Sequence, residues 1–230
     1  MTRPGVSVAI VGPDGAGKST VSRRVVAELG RRAFRIYMGV NLDESNVVLP
    51  TTRLLLVVKR RRGARPDLTG SVAEAHSARQ RVREGVRLLN LIAEEWYRAL
   101  IAGIQRLRGR TVIMDRHFLP DYWRQDAAPP PDARRSAVRK LHGWLLRTVY
   151  PEPDHYIFLD APPSLLLRRK DEAGPEYLQN RRDDYVAFGR EHRNVTVVDT
   201  DRDVDEVVDA CLRVVDKVQS QRSALRRSRR

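Results

Sequence analysis

At 230 residues the chain can bury about 70–75% of its unfolded surface as one domain, so its length requires no second unit. The single cysteine, Cys211, excludes a disulfide framework, and no stretch approaches the ~20 apolar residues of a membrane span. A net charge of +14, from 43 basic and 29 acidic residues, points to polyanionic partners; nucleotide phosphates are one, and nucleic acid is admitted but not required. The short apolar run near the start leads straight into a glycine loop and does not resemble a signal peptide, so a reduced, cytoplasmic compartment is expected.

In chain order, Val6 to Val11 has the length and composition of a buried parallel strand. Gly12-Pro-Asp-Gly15-Ala16-Gly17-Lys18-Ser19-Thr20 follows, and the spacing Gly12-x-x-x-x-Gly17-Lys18-Ser19 fits a phosphate-binding loop. Glycines let main-chain N–H groups turn inward at close range, and the helix opening at Lys18 adds unpaired N–H groups and a positive dipole end. Lys18 is placed to reach the β- and γ-phosphates, and Ser19 to ligate Mg2+. Inside the loop an acid repels phosphate, so Asp14 is expected to face an acceptor hydroxyl or an arginine unless it is a surface turn residue.

Val21, Val25, Val26 and Leu29 continue the helix, and Gly30 stops it. Phe34–Gly39 reads as a second strand. Asn41–Leu49 is turn-like, Pro50 opens a short helix through Leu54–Val58, and Lys59–Arg65 is a basic surface loop. Ser71 to about Arg108 gives one long helix or two broken ones, with apolar positions Val82, Val86, Leu89, Ala93, Trp96, Leu100 and Ile104. Arg79, Arg83 and Arg87 share one face of it, either solvated or available to an anion. Thr111–Asp115 is the third strand, and Pro120 and Ala127–Pro131 read as loop. Ala133–Val149 is helical, with Val138, Leu141, Leu145 and Val149 on one face. His155–Asp160 is the fourth strand, and Pro162-Pro163 starts a helix through Leu167. Arg168–Gly174 is a charged loop, and Pro175 to about Glu191 is a helix. Val195–Asp199 is the fifth strand, and Asp203 caps a last helix carrying Val204, Val207, Val208, Cys211, Val214 and Val215. From about Gln219 the basic tail is expected to be disordered, leaving one domain over 1–218.

Strands alternating with helices imply a parallel sheet covered on both faces, with ligands beyond the carboxyl ends of the strands. That topology draws Gly12–Ser19, Asp115-Arg116-His117 and Asp160 to one crevice. Asp115, ending an apolar strand, has the Walker B arrangement, in which the carboxylate holds the Mg2+ shell or orients the acceptor; Arg116 beside it can stabilise a transferring phosphoryl group. Arg168 and Arg169 belong to a segment able to close over phosphates, or to an ordinary solvated loop.

Gly12–Thr20, Asp115-Arg116-His117 and the Asp160-Ala-Pro-Pro helix leading into Arg168-Arg169 together resemble thymidylate kinase and its deoxynucleoside-kinase relatives, over about Val6 to Val215. The resemblance implies an α/β fold, a P-loop three-layer sandwich whose five-stranded parallel sheet has the order 2-3-1-4-5, with a mobile lid near 168–175. It also implies phosphoryl transfer from Mg·ATP to a small acceptor. Carried over by position, Gly12, Asp14, Gly15, Ala16, Gly17, Lys18, Ser19 and Thr20 line the donor site, and Ser19 and Asp115 hold the metal. Lys18, Asp115, Arg116, Arg168 and Arg169 act in catalysis, and Asp14 and Arg116 reach the acceptor. A homodimer is admitted and no membrane is involved.

The substrate side departs from the family pattern. Its Thr-Arg-Glu-Pro segment after strand two survives only as Thr52-Arg53. Its Asp-Arg pair before strand three is replaced within Ala93-Glu94-Glu95-Trp96-Tyr97-Arg98. Arg53, Glu94, Glu95 and Tyr97 are the candidate acceptor contacts, although the aromatics here suit a core equally well. Two acids where an arginine is expected favour a hydroxyl-rich acceptor. Three readings follow: a kinase of thymidylate or a related nucleotide; a kinase of a nucleoside, sugar or other polyol; and a nucleotide-gated binding module with a basic, polyanion-binding surface. His117 reads as structural.

Overall fold

The computed structural model describes residues 4–39, 41, 44–50, 52, 78–169 and 174–228. Arg53, the short helix expected after Pro50, the basic loop 59–65 and residues 170–173 of the expected lid lie outside them, as do the side chains of Arg79 and Arg83. Five strands, β1 (Ser7–Val11), β2 (Ala33–Tyr37), β3 (Thr111–Asp115), β4 (His155–Asp160) and β5 (Val195–Asp199), form one parallel sheet in the order β2-β3-β1-β4-β5. This is the order that the resemblance implies.

Because strand side chains alternate, each strand feeds two apolar layers. Val8 and Ile10 of β1 pack with Val21 and Val25 of helix α1 (Lys18–Leu29) and with Val207, Cys211 and Val215. Ala9 and Val11 face the opposite layer, with Ile36, Met38, Phe118, Tyr156 and Phe188. Cys211 is a buried free thiol, pushed up to about 12 by burial.

Helix α2 (Ala78–Leu107) is continuous over 30 residues, but it is rotated from the expected setting. The apolar stripe points outward: Val86 is 61% and Leu100 60% exposed, and Leu89, Ala93 and Trp96 are exposed with them. The buried face is Leu91, Glu94, Glu95, Arg98, Ala99 and Ala102. Apolar spacing identifies a helix face without saying what covers it, and polar residues can turn inward when each charge finds a partner. Here they do. Glu94 accepts the Leu49 N–H at 3.0 Å and lies 3.4 Å from Arg98 Nε, and Arg98 Nη1 donates to the Gly39 carbonyl at 2.5 Å. Glu95 lies 3.1 Å from His142 Nε2 through either oxygen.

Pro120, expected in a loop, instead sits in a buried helical turn, α3 (Phe118–Asp121). The turn is capped by His117 Nδ1, which accepts the Leu119 N–H, and a proline in a first turn forfeits no helical hydrogen bond. A π turn at Trp123–Ala127 follows and presses on helix α4 (Ala137–Thr148). A Cβ at Gly143 would lie 1.8 Å from the Asp126 carbonyl oxygen, so only glycine permits the approach. His142, one residue earlier, joins Asp126 at 2.8 Å to Glu95. Burial opposes its charge, but the hydrogen bonds to Asp126 and Glu95 prevail and lift it to about 9. Leu141 and Trp144 of α4 and Val149 just after it remain exposed, while Leu146 is buried.

Helices α5 (Pro163–Arg169) and α6 (Pro175–Glu191) follow β4, and α7 (Val204–Arg227) follows β5. The disordered tail expected from Gln219 is helical to Arg227. Two of its residues meet the body: Gln219 donates to Thr111 Oγ1 at 2.9 Å and Arg222 to Asp154 at 2.6 Å. Asp154 also accepts from Arg106 at 2.8 Å and from the Ser7 N–H at 2.8 Å, which ties β1, α2 and α7 to the loop before β4. No helix among the described residues is long and apolar enough to cross a membrane.

Asp154 is only partly shielded from water, so its loss is expected to cost about 1–3 kcal/mol. Asp154→Ala is predicted to lower the urea midpoint at unchanged m-value. An unaltered midpoint would show that these contacts do not anchor α7.

Candidate functional site

The loop leaving β1 runs close beneath β4. Gly12 has φ +148°, and a Cβ there would lie 2.5 Å from the Leu159 carbonyl oxygen, so this residue type is dictated by both torsion and space. The turn delivers Lys18 to the mouth of α1 as a buried side chain. Its ammonium donates to the Gly12 and Pro13 carbonyls at 2.8 and 2.6 Å and lies 3.8 Å from Asp14. Burial, then the neighbouring Arg116, lower Lys18 to about 7, against the opposing pull of Asp14, Asp121 and Asp115. Ala16 is buried, Ser19 is half-buried and Thr20 is exposed.

From β3 come Asp115 and Arg116. Pairing of β1 with β3 continues past the strand end, through Arg116 N–H to the Ile10 carbonyl at 2.9 Å. Arg116 then takes φ +74°, the sole positive φ of a non-glycine among the described residues. Such a torsion costs of order 1–3 kcal/mol and persists where its surroundings hold it. What holds it is charge: Nη2 donates to Asp14 Oδ1 at 2.6 Å across the crevice. Burial disfavours the charged guanidinium, yet Asp121 and Asp14 more than offset this and raise its basicity above the ordinary arginine value. Asp14 thus faces an arginine.

Asp115 is fully buried. Its Oδ2 accepts from Arg35 Nη2 on β2 and lies 3.1 Å from Ser22 Oγ on α1, whereas Oδ1 has no hydrogen-bond partner. Orphaning a buried carboxylate oxygen costs about 1–3 kcal/mol, a cost that a cation would remove. This oxygen, together with the half-buried Ser19 at the start of α1, fits the hard oxygen donors that Mg2+ takes.

The crevice also gathers residues that sequence reasoning missed. Asp121 of α3 accepts from Tyr185 Oη of α6 at 2.5 Å, and its carbonyl accepts from Arg181 Nη1 at 3.3 Å. Tyr37 ends β2 against Arg116, and burial raises its phenol. The i, i+4 spacing of Arg181 and Tyr185 was visible in the sequence; their approach to Asp121, 60 and 64 positions away, depends on the sheet. Glu94 and Glu95 are engaged inside the protein as described, and Tyr97 is half-buried. Arg168 and Arg169 are exposed at the end of α5, Arg169 donating to the Thr200 carbonyl at 3.0 Å. Asp160 is gripped by Arg182 at 2.6 and 2.7 Å. His117 is buried and drops to about 3 through burial, so it caps α3 as a neutral ring.

With Lys18 lowered to about 7, phosphate binding beside it would be a protonation event. Anionic oxygens favour the ammonium, so binding must draw a proton wherever Lys18 is neutral beforehand. Calorimetry with ATP in buffers of differing ionisation enthalpy should show little uptake below about pH 6 and close to one proton above about pH 8. Lys18→Arg should abolish that rise, and a wild-type uptake independent of pH would contradict the assignment.

No family model and no curated protein matches this sequence. Among solved structures the chain is similar to deoxyadenosine kinase from M. mycoides, determined with the products dCMP and a flexible dCDP bound. The identity is 17%, the match covers 92% of this chain and 99% of that one, and the TM-score is 0.55. At that identity the likeness speaks for architecture. The chain has the fold of that kinase, here a five-stranded parallel sheet in the order β2-β3-β1-β4-β5 with helices around it.

Proposed function

We propose that this chain is an ATP- and Mg2+-dependent kinase that passes the γ-phosphoryl group to a small acceptor such as thymidylate or a related nucleotide. One observation carries the reading: Lys18, Arg116 and the unpaired oxygen of Asp115 converge at the carboxyl ends of β1 and β3. Phosphoryl transfer depends chiefly on positioning and charge neutralisation, and this convergence offers both. The loop amides and Lys18 bind and align the polyphosphate. Ser19 and Asp115 would hold Mg2+, which supplies neutralisation of the phosphate oxygens when bound. Arg116, pre-set by Asp14, accompanies the transferring group, and Asp14 serves as an acceptor contact where the pair opens. Arg168 and Arg169 flank the proposed lid, and Arg53 remains a proposed acceptor contact.

Acceptor identity separates this from the second reading, a nucleoside, sugar or other hydroxyl acceptor. That reading draws support from the deoxyadenosine kinase likeness and from the absence of a family-type arginine before β3. The enclosure of Glu94 and Glu95 removes their support from either choice. A radiolabelled-ATP panel of thymidylate, deoxynucleosides and sugars is expected to give transfer to one class, lost by at least ~100-fold in Lys18→Ala with the fold intact. ATP binding without turnover of any acceptor, together with salt-sensitive DNA or RNA binding, would instead establish the nucleotide-gated module.

The outward stripe of α2 supports a homodimer. Eight of the twelve exposed large apolar side chains among the described residues lie on α2, α4 or the residue just after α4: Val86, Leu89, Trp96, Leu100, Leu107, Leu141, Trp144 and Val149. Apolar patches of this kind mark interaction surfaces. Sedimentation is expected to give twice the 26.3 kDa chain mass, and Trp96→Glu with Leu100→Glu to give the monomer. A monomeric wild type would refute the dimer alone.

A further inference from the structure

Arg35 has no assigned part in phosphate binding, yet it is bonded to the carboxylate at the centre of the crevice. It lies on the edge strand β2, with its side chain 16% exposed. Its Nη2 donates to Asp115 Oδ2, and its Nε to Ser22 Oγ at 2.9 Å. Ser22 itself lies 3.1 Å from the same Oδ2 and 3.2 Å from the Ser19 carbonyl, one turn into α1. Both holds therefore fall on one oxygen, and Oδ1 alone stays open. A purely structural strut between β2 and β3 would need no charge. This one places a full guanidinium charge against the group expected to receive a dication.

Two effects of Arg35 follow. It orients Asp115 to offer a single oxygen, and it offsets part of the negative charge that would draw a free cation in. Two unit charges a few ångströms apart at intermediate dielectric interact by more than a kcal/mol, so the second effect is worth about tenfold or more in cation affinity. We propose that Arg35 is a positioning residue that keeps Asp115 too weak a ligand for free Mg2+, so that the metal enters only with its nucleotide. Three or four phosphate charges then supply the attraction that the half-neutralised carboxylate lacks. This rests on the kinase reading above and extends it to the order in which metal and nucleotide arrive.

The test uses Mn2+ as the probe, followed by the loss of its free-ion paramagnetic resonance signal, with and without ATP. Nucleotide-free wild type should take up Mn2+ only weakly, in the millimolar range, and ATP should bring tight uptake. Arg35→Gln, which keeps a donor but loses the charge, should bind nucleotide-free Mn2+ at least about tenfold more tightly. Arg35→Lys should stay near wild type, a contrast that a structural strut would not produce. Ser22→Ala, which leaves the charge in place, should not tighten binding.

Equal or weaker Mn2+ binding by Arg35→Gln would overturn the proposal. Should that variant fail to fold, the wild type decides: micromolar Mn2+ uptake without nucleotide is incompatible with a restrained Asp115. Wild-type protein that binds no ATP, with or without Mn2+, would instead defeat the kinase reading itself.

Discussion

The ion pair between Arg116 and Asp14 is the contact on which the crevice depends. It joins the end of β3 to the loop after β1, spans 2.6 Å, and stabilises a backbone torsion that an arginine rarely adopts. Without it, Arg116 would relax out of the left-handed region and carry its guanidinium away from the loop. With it, two cations, Lys18 and Arg116, are held beside one another. That juxtaposition is unfavourable in isolation, and the lowering of Lys18 is partly its cost. Asp14, Asp121 and Asp115 make it tolerable, so the site is a balanced set of opposed charges rather than a basic patch.

The outer parts of the crevice repeat this pattern. Asp121 is shared by Tyr185 and Arg181, Asp160 is gripped by Arg182, and Asp115 is divided between Arg35 and Ser22. Each of these three carboxylates has a cationic or hydroxyl partner on another element. Hydrogen bonds to charged groups are worth more than neutral ones, and partial burial strengthens them further. The exception is Asp115 Oδ1. An orphan oxygen within an otherwise paired set marks where a ligand completes the arrangement.

Local chemistry made the central parts legible in the sequence. Glycine spacing announces a tight loop because only that residue type satisfies both torsion and clearance at Gly12, and an apolar run ending in Asp115 announces a buried strand that closes on a carboxylate. The rest was illegible for definite reasons. The spacing of Val86, Leu89, Ala93, Trp96 and Leu100 located a helix face correctly as apolar, but not which way it turns, since Glu94, Glu95 and Arg98 are buried by partners on other elements. Arg35, Asp121 and Arg181 acquire their roles from sheet topology, which no local pattern encodes. The tail looked disordered because its charges seemed unpaired, yet Arg222 meets Asp154 from 68 residues away.

The three tryptophans divide between these environments. Trp123 is 6% exposed, stacked edge-on against Phe188 and His192 in the core, whereas Trp96 and Trp144 stand on the outer helical face. Their indoles accordingly report on different events: emission from Trp123 follows the integrity of the interior, and that of the other two follows whatever shields the α2–α4 surface from water. Intrinsic fluorescence of this chain is thus a composite signal, and single-tryptophan variants would resolve unfolding from association in one cuvette.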